Sequence, residues 1–178
     1  VVGKIDAAGT TIGSFTGVTV NNTGDITSGG SAISSFGHVD VVNAGKIEAT
    51  VGIGIFARDG TAATINNLSG GIITGGLAGI SGTNINVTGN DGTIEATGAN
   101  RAAINATGDT NVTNGSGTIQ GLGTGGLAIA AVGKASVSNG TGIITGDLAG
   151  ISAANVSVTG NAGLIEATAA NGRAITAT

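Results

Sequence analysis

A short phrase, Gly-x-Ile, returns along the whole chain at nearly fixed spacing. It stands at Gly3-Lys4-Ile5, Gly24-Asp25-Ile26, Gly45-Lys46-Ile47, Gly71-Ile72-Ile73, Gly92-Thr93-Ile94, Gly117-Thr118-Ile119, Gly142-Ile143-Ile144 and Gly163-Leu164-Ile165. The steps between successive isoleucines are 21, 21, 26, 21, 25, 25 and 21 residues. A period in the twenties marks a solenoid, in which each repeat is one coil that buries its apolar face only against its neighbours. This constrains the chain more than any other feature, because residues at the same place in successive repeats must then stack directly above one another.

The interior of each coil follows from alternation. Ahead of the phrase come Val18-Thr19-Val20 and Val39-Asp40-Val41, in which the valines share one face and the polar residue takes the other. After it comes a second apolar point, at Ile12, Ile33, and Ile53 or Ile55. Three strands within each short repeat predict a three-sided parallel β-helix. Coils about 4.8 Å apart would make eight of them a rod of roughly 35–40 Å. Ile5, Ile26, Ile47, Ile73, Ile94, Ile119, Ile144 and Ile165 are expected to form one interior column. Their β-branched side chains suit a pleated face, and each burial is worth roughly 1.5–3 kcal/mol.

Two further columns are expected. Asn22, Asn43, Asn67, Asn90, Asn114, Asn139 and Asn161 recur near the corner, where stacked amides can hydrogen-bond along the axis. The residue after each ladder isoleucine should face outward, giving Asp6, Thr27, Glu48, Thr74, Glu95, Gln120, Thr145 and Glu166. No two carboxylates are neighbours in that order, as a stacked column requires. The glycine two places before each isoleucine is read as supplying a positive φ at the corner. Phe15, Phe36 and Phe56 should stack in the first three coils, and core packing is the favoured reading over an aromatic platform for sugars.

Residues 71–178 carry a higher-order repeat. Gly71-Ile72-Ile73-Thr74-Gly75 and Leu77-Ala78-Gly79-Ile80-Ser81 return, at one common offset, as Gly142-Ile143-Ile144-Thr145-Gly146 and Leu148-Ala149-Gly150-Ile151-Ser152. Duplication of a three-coil block explains the match. Longer coils must place their extra residues in loops, at Ala57-Arg58-Asp59-Gly60, Gly98-Ala99-Asn100-Arg101, Gly121 to Gly126 and Asn171-Gly172-Arg173. Three of the six basic residues, Arg58, Arg101 and Arg173, fall there and are the candidate loop contacts for a ligand or glycan, set against a reading as solvated turn charges.

Composition narrows the chemistry. Charged residues are 9% of the chain and the formal net charge is −4, which argues against nucleic acid and against an anionic membrane surface. No apolar run is long enough for a membrane-spanning helix, so no membrane insertion by this segment is expected. Cysteine is absent, which excludes disulfides and thiolate metal sites. The acids are scattered, and His38 is the sole histidine, with Asp40, Ser34 and Ser35 nearby. It is read as a lone outward side chain. No calcium-binding nonapeptide appears in Gly29-Gly30-Ser31-Ala32 or Gly70-Gly71-Ile72-Ile73. Asn-x-Ser/Thr triplets such as Asn86-Val87-Thr88 and Asn105-Ala106-Thr107 are expected by chance in such a composition. An ice-binding face is disfavoured, because Thr50, Thr97 and Thr168 share a column without occupying successive coils. No catalytic, cofactor or metal residue is assigned, and the chain is expected to need no cofactor and not to be an enzyme. A polysaccharide-active β-helix enzyme is the least favoured alternative.

Phrases such as Asn22-Thr23-Gly24-Asp25-Ile26 and Asn43-Ala44-Gly45-Lys46-Ile47 resemble the passenger repeats of bacterial autotransporters, and the resemblance covers essentially the whole chain. It implies a right-handed helix of a secreted, surface-displayed adhesin-like protein at a Gram-negative outer membrane. Coil length agrees with that hand, since left-handed helices are built on hexapeptide units, which these periods do not match. Host-cell or matrix surface ligands would be its partners. The resemblance supplies no functional residue. Residues 1–178 are expected to be one continuous solenoid segment of a longer repeat protein, uncapped at both ends. Its partners would then also be flanking coils, or other copies through exposed end strands. The fold class expected is all-β: a single-stranded right-handed parallel β-helix (β-solenoid) of about eight coils, three strands per coil, each coil roughly 21–26 residues long.

Overall fold

The computed structural model describes residues 3–58 and 60–178. The chain winds as a parallel β-solenoid. The first coil holds β1 (Lys4–Ala7), β2 (Ile12–Ser14) and β3 (Gly17–Asn22), and the second β4 (Asp25–Ser28), β5 (Ile33–Ser35) and β6 (His38–Asn43). The third holds β7 (Lys46–Ala49), β8 (Ile53–Ala57) and β9 (Ala62–Asn67), and the fourth β10 (Ile72–Gly75), β11 (Ala78–Gly82) and β12 (Asn84–Asn90). The fifth is β13 (Thr93–Ala96), β14 (Ala102–Ala106) and β15 (Thr110–Asn114). From the sixth coil the second and third segments merge: β16 (Thr118–Gly121) is followed by β17 (Leu127–Asn139), and β18 (Ile143–Gly146) by β19 (Ala149–Thr159). The last coil has β20 (Leu164–Ala167) and β21 (Arg173–Ala177).

The first strands of all eight coils form one sheet in the order β1-β4-β7-β10-β13-β16-β18-β20. Its register joins Ile5 to Ile26, Ile26 to Ile47, Ile47 to Ile73, Ile73 to Ile94, Ile94 to Ile119, Ile119 to Ile144 and Ile144 to Ile165. The expected interior column is therefore present, and its members from Ile26 to Ile144 are fully buried. A second column runs Ile12, Ile33, Ile55, Ile80, Ile104, Ile129, Ile151 and Ile175 along the second face. The open choice at the third coil thus falls to Ile55, while Ile53 stands beside Ala78. The third face contributes Val20, Val41, Ile65, Val87, Val112, Val137 and Val158. These three columns meet as one elongated apolar core.

The asparagine column is complete. Nδ2 of Asn22 donates to Oδ1 of Asn43 at 2.9 Å, and the same bond links Asn43 to Asn67, Asn67 to Asn90, Asn90 to Asn114, Asn114 to Asn139 and Asn139 to Asn161 at 2.7–2.9 Å. Every donor points the same way along the axis. Asn22 to Asn139 are fully buried. Such groups cost free energy unless bonded, so the ladder satisfies the corner as well as stapling it.

The corner glycines act differently from expectation. Only Gly3 of the series has a positive φ, at 104°. Gly24, Gly45, Gly71, Gly92, Gly117, Gly142 and Gly163 do not. A Cβ at Gly24, Gly45, Gly92 or Gly163 would instead collide with the carbonyl oxygen of the glycine one coil earlier. Close approach of coil to coil, rather than a left-handed backbone, excludes a side chain there.

Candidate functional site

The outward column of the first sheet has the expected order, with Asp6 beside Thr27, Thr27 beside Glu48, Glu48 beside Thr74 and Thr74 beside Glu95, then Gln120, Thr145 and Glu166. Donors flank the carboxylates. Thr74 Oγ1 donates to Glu95 Oε1 at 3.0 Å and Gln120 Nε2 to Glu95 Oε2 at 2.9 Å, while Thr145 Oγ1 donates to Glu166 at 3.2 Å. Beside this column Lys4 pairs with Asp6 and Lys46 with Glu48, each at 2.7 Å. The Asp6 carboxylate beside Lys4 holds the ammonium above its ordinary pKa.

The phenylalanines do not enter the core. Phe15 is 85% exposed and Phe36 41% exposed, with their rings parallel at a centroid distance of 5.4 Å. Ile12 and Ile33 take the interior positions of β2 and β5, so Phe15 and Phe36, three places on, stand outside at the corner. Phe56 is half-buried. Arg58 lies over both Phe36 and Phe56, with Cζ 5.2 and 4.9 Å from the ring centroids, and its Nε donates to Ser34 Oγ at 2.8 Å. The planar guanidinium is thus fixed between two rings and a hydroxyl. A shallow hollow of about 360 Å³ beside it is lined by Thr10, Gly13, Ser14, Phe15, Ser34, Phe36 and Arg58. His38 opens β6 just past that corner and faces outward, with Nε2 3.5 Å from Asp40 Oδ2.

The three candidate arginines are not brought together. Arg58 follows β8 at the corner between the second and third faces, and its expected loop partner Asp59 lies outside the described residues. Arg101 and Arg173 lie at the corner between the first and second faces, in the fifth and eighth coils. Both are exposed. The extra residues do fall between strands, in segments 58–61, 97–101, 122–126 and 168–172. Asn100 there holds φ at 55°, with its N–H donating to Thr124 O at 2.8 Å.

A concave surface that sequence reading missed lies on the third face. A groove of about 490 Å³ crosses four coils. The third coil lends Ala62 and Thr64, the fourth Asn84 and Asn86, the fifth Asp109 and Asn111, and the sixth Lys134 and Ser136. Register places Ala62 beside Asn84, and Thr64, Asn86, Asn111 and Ser136 in one column. Two groups cap the next coil's backbone: Asn84 Oδ1 accepts from Asp109 N at 3.1 Å and Asp109 Oδ1 accepts from Lys134 N at 2.7 Å. Asn111 Nδ2 also donates to Asn86 Oδ1 at 3.3 Å. A strand-parity reading of Thr64, Asn86, Asn111 and Ser136 was available in the sequence, but not the bend at Thr83 that precedes Asn84.

These features define a parallel β-solenoid with polar, unevenly decorated flanks. Comparison with family models, with curated proteins and with solved structures finds no match.

Proposed function

We propose that this chain is a non-catalytic structural or adhesive segment of a secreted, surface-displayed bacterial β-solenoid protein, working as a stiff rod that presents side chains on its flanks. The observation that supports this most is the unbroken asparagine column, whose six bonds of 2.7–2.9 Å link seven coils. Bending the rod at any of these coils would open a buried amide bond as well as three apolar columns. The resemblance to autotransporter passengers, carried by the Asn-x-Gly-x-Ile corners, supports display at a Gram-negative surface.

The alternative is a repeating unit of a head-to-tail extracellular filament. The uniform polarity of the ladder favours it, since any coil stacked beyond Asn161 could accept its Nδ2 donor. Against it, stacking in the same register would set Asp6 of one copy beside Glu166 of the next, and like charges directly opposite are destabilising.

Negative-stain electron microscopy across a concentration series tests the choice. Discrete short rods at every concentration are expected. Long, uniform, unbranched filaments growing with concentration would replace the rod with the filament.

A further inference from the structure

The polar groove on the third face has the chemistry of a sugar site. It is built from side chains two residues apart on each strand, which lie on the same face about 6.7 Å apart, and it repeats every coil, about 4.8 Å along the axis. That axial step is close to the advance of one pyranose ring in an extended β-linked chain. The floor is small and buried, with Ala63, Ile85 and Thr110 beneath the outward residues. Ala62 leaves the third-coil end open. Two walls, Asn84 and Asp109, are held by their bonds to the backbone of the next coil. Their second polar atoms, Asn84 Nδ2 and Asp109 Oδ2, have no partner among the described residues. Asn86 Nδ2, Lys134 Nζ and Ser136 Oγ are likewise free, so donors and acceptors alternate along the groove. Adjacent hydroxyls of a sugar each donate and accept, and such mixed pairs meet both needs.

Charge selects among sugars. Asp109 and Lys134 cancel, and the remaining lining is amide, hydroxyl and methyl. An anionic polymer would meet Asp109 as well as Lys134 and gain no net attraction.

We propose that this groove binds a neutral, β-linked oligosaccharide laid along the rod axis, one glycosyl unit per coil over the third to sixth coils. Asn84, Asn86, Asp109, Asn111, Lys134 and Ser136 supply the hydrogen bonds. The inference rests on the rod reading only in giving an adhesive passenger its ligand. The groove lies on the flank rather than at an end, so it stays open in rods and filaments alike, and the two proposals fail separately.

The experiment is a side-chain amide titration of the whole chain by nuclear magnetic resonance. The probes are cellotetraose, xylotetraose, mannotetraose and chitotetraose, with tetragalacturonate as the anionic arm. At least one neutral tetramer is expected to shift the Asn84, Asn86 and Asn111 amides, with a dissociation constant on the order of 1 mM. Its affinity should rise from the disaccharide to the tetramer. Ala62→Ile, which fills the open end without a stacking face or a hydroxyl, and the pair Asn86→Ala with Asn111→Ala should each weaken binding about tenfold or more. Unchanged thermal melting of Ala62→Ile shows that a loss is not unfolding. Absence of shifts at about 20 mM for every neutral tetramer overturns the site. Tighter binding of tetragalacturonate overturns the charge assignment, and undiminished binding by both Ala62→Ile and the Asn86→Ala, Asn111→Ala pair overturns the location.

Discussion

Asn67 donates from Nδ2 to Asn90 Oδ1 at 2.8 Å while its own Oδ1 accepts from Asn43 Nδ2 at 2.9 Å. Its Nδ2 also reaches Gly71 O, at 3.2 Å. One side chain therefore serves two neighbouring coils and its own corner.

Removing such a link should be costly. Asn90→Ala strands the Asn114 acceptor and one of the two Asn67 Nδ2 protons, the other keeping its backbone partners, and an unsatisfied buried group costs about 1–3 kcal/mol. A fall in the urea midpoint matching a total of about 2–5 kcal/mol is expected. Asn90→Asp should be pH-sensitive. Burial and the facing Asn114 oxygen favour its protonated form in the fold, so stability should be highest in acid and decline as the pH rises. Equal midpoints for Asn90→Ala and the parent chain would remove the ladder from the stability of the rod.

The corner glycines separate two reasons for lacking a side chain. Gly92→Ala drives a Cβ into Gly71 O although φ is not positive, so backbone must move. Gly70 has φ of 80° with open space around a Cβ. Gly70→Ala should cost only about 1–2 kcal/mol, the ordinary penalty of a left-handed backbone. Thermal melts should rank Gly92→Ala as clearly the more damaging. The reverse ranking would restore the dihedral explanation.

The outward carboxylate column makes a charge prediction. Thr74→Glu would set three carboxylates in a row, Glu48, the new one and Glu95. A loss of about 0.5–2 kcal/mol is expected, shrinking in high salt and below the carboxylate pKa range. Thr74→Gln should be nearly neutral. Equal melting of both variants at low and high salt would show that the column does not depend on charge spacing.

Asp91 accepts from Ser116 N at 2.9 Å and from Ser116 Oγ at 3.0 Å, and these bonds, the backbone one first, hold its carboxyl below the ordinary 3.8. A depressed folded pKa gives stability that is complete above the unfolded value and is lost as the pH falls through the folded one. The pair is exposed, so the effect is small. Ser116→Ala should move the Asp91 titration back upward in a carbon-detected pH series, leaving only the backbone share of the depression. No movement would assign the shift elsewhere.

Much of this fold is readable from spacing because stacking turns a one-dimensional period into columns. Ile26 to Ile144, Asn22 to Asn161 and Asp6 to Glu166 each keep one place per coil, so insertions between them do not disturb their identity. Corners break that logic. Phe15 and Phe36 recur with the same regularity as core residues, and an even spacing cannot tell an inner column from an outer one. Their position just past the inward Ile12 and Ile33 decides it. Arg58 was visible as a loop cation, but its seat on Phe36 and Phe56 depends on rings expected inside. The groove was harder still, since Ala62, Asn84, Asp109 and Lys134 are unlike one another and align only through register.

Side-chain hydrogen exchange of the asparagines probes the ladder itself. Nuclear magnetic resonance should find the Nδ2 protons of Asn22, Asn43, Asn67, Asn90, Asn114 and Asn139 strongly protected, with those of exposed Asn105 and Asn171 exchanging at once. Protection should be greatest in the middle coils, where opening one amide requires parting two coils. Uniformly fast exchange across all asparagines would mean that no continuous buried ladder holds the coils together, and the stiff rod would fall with it.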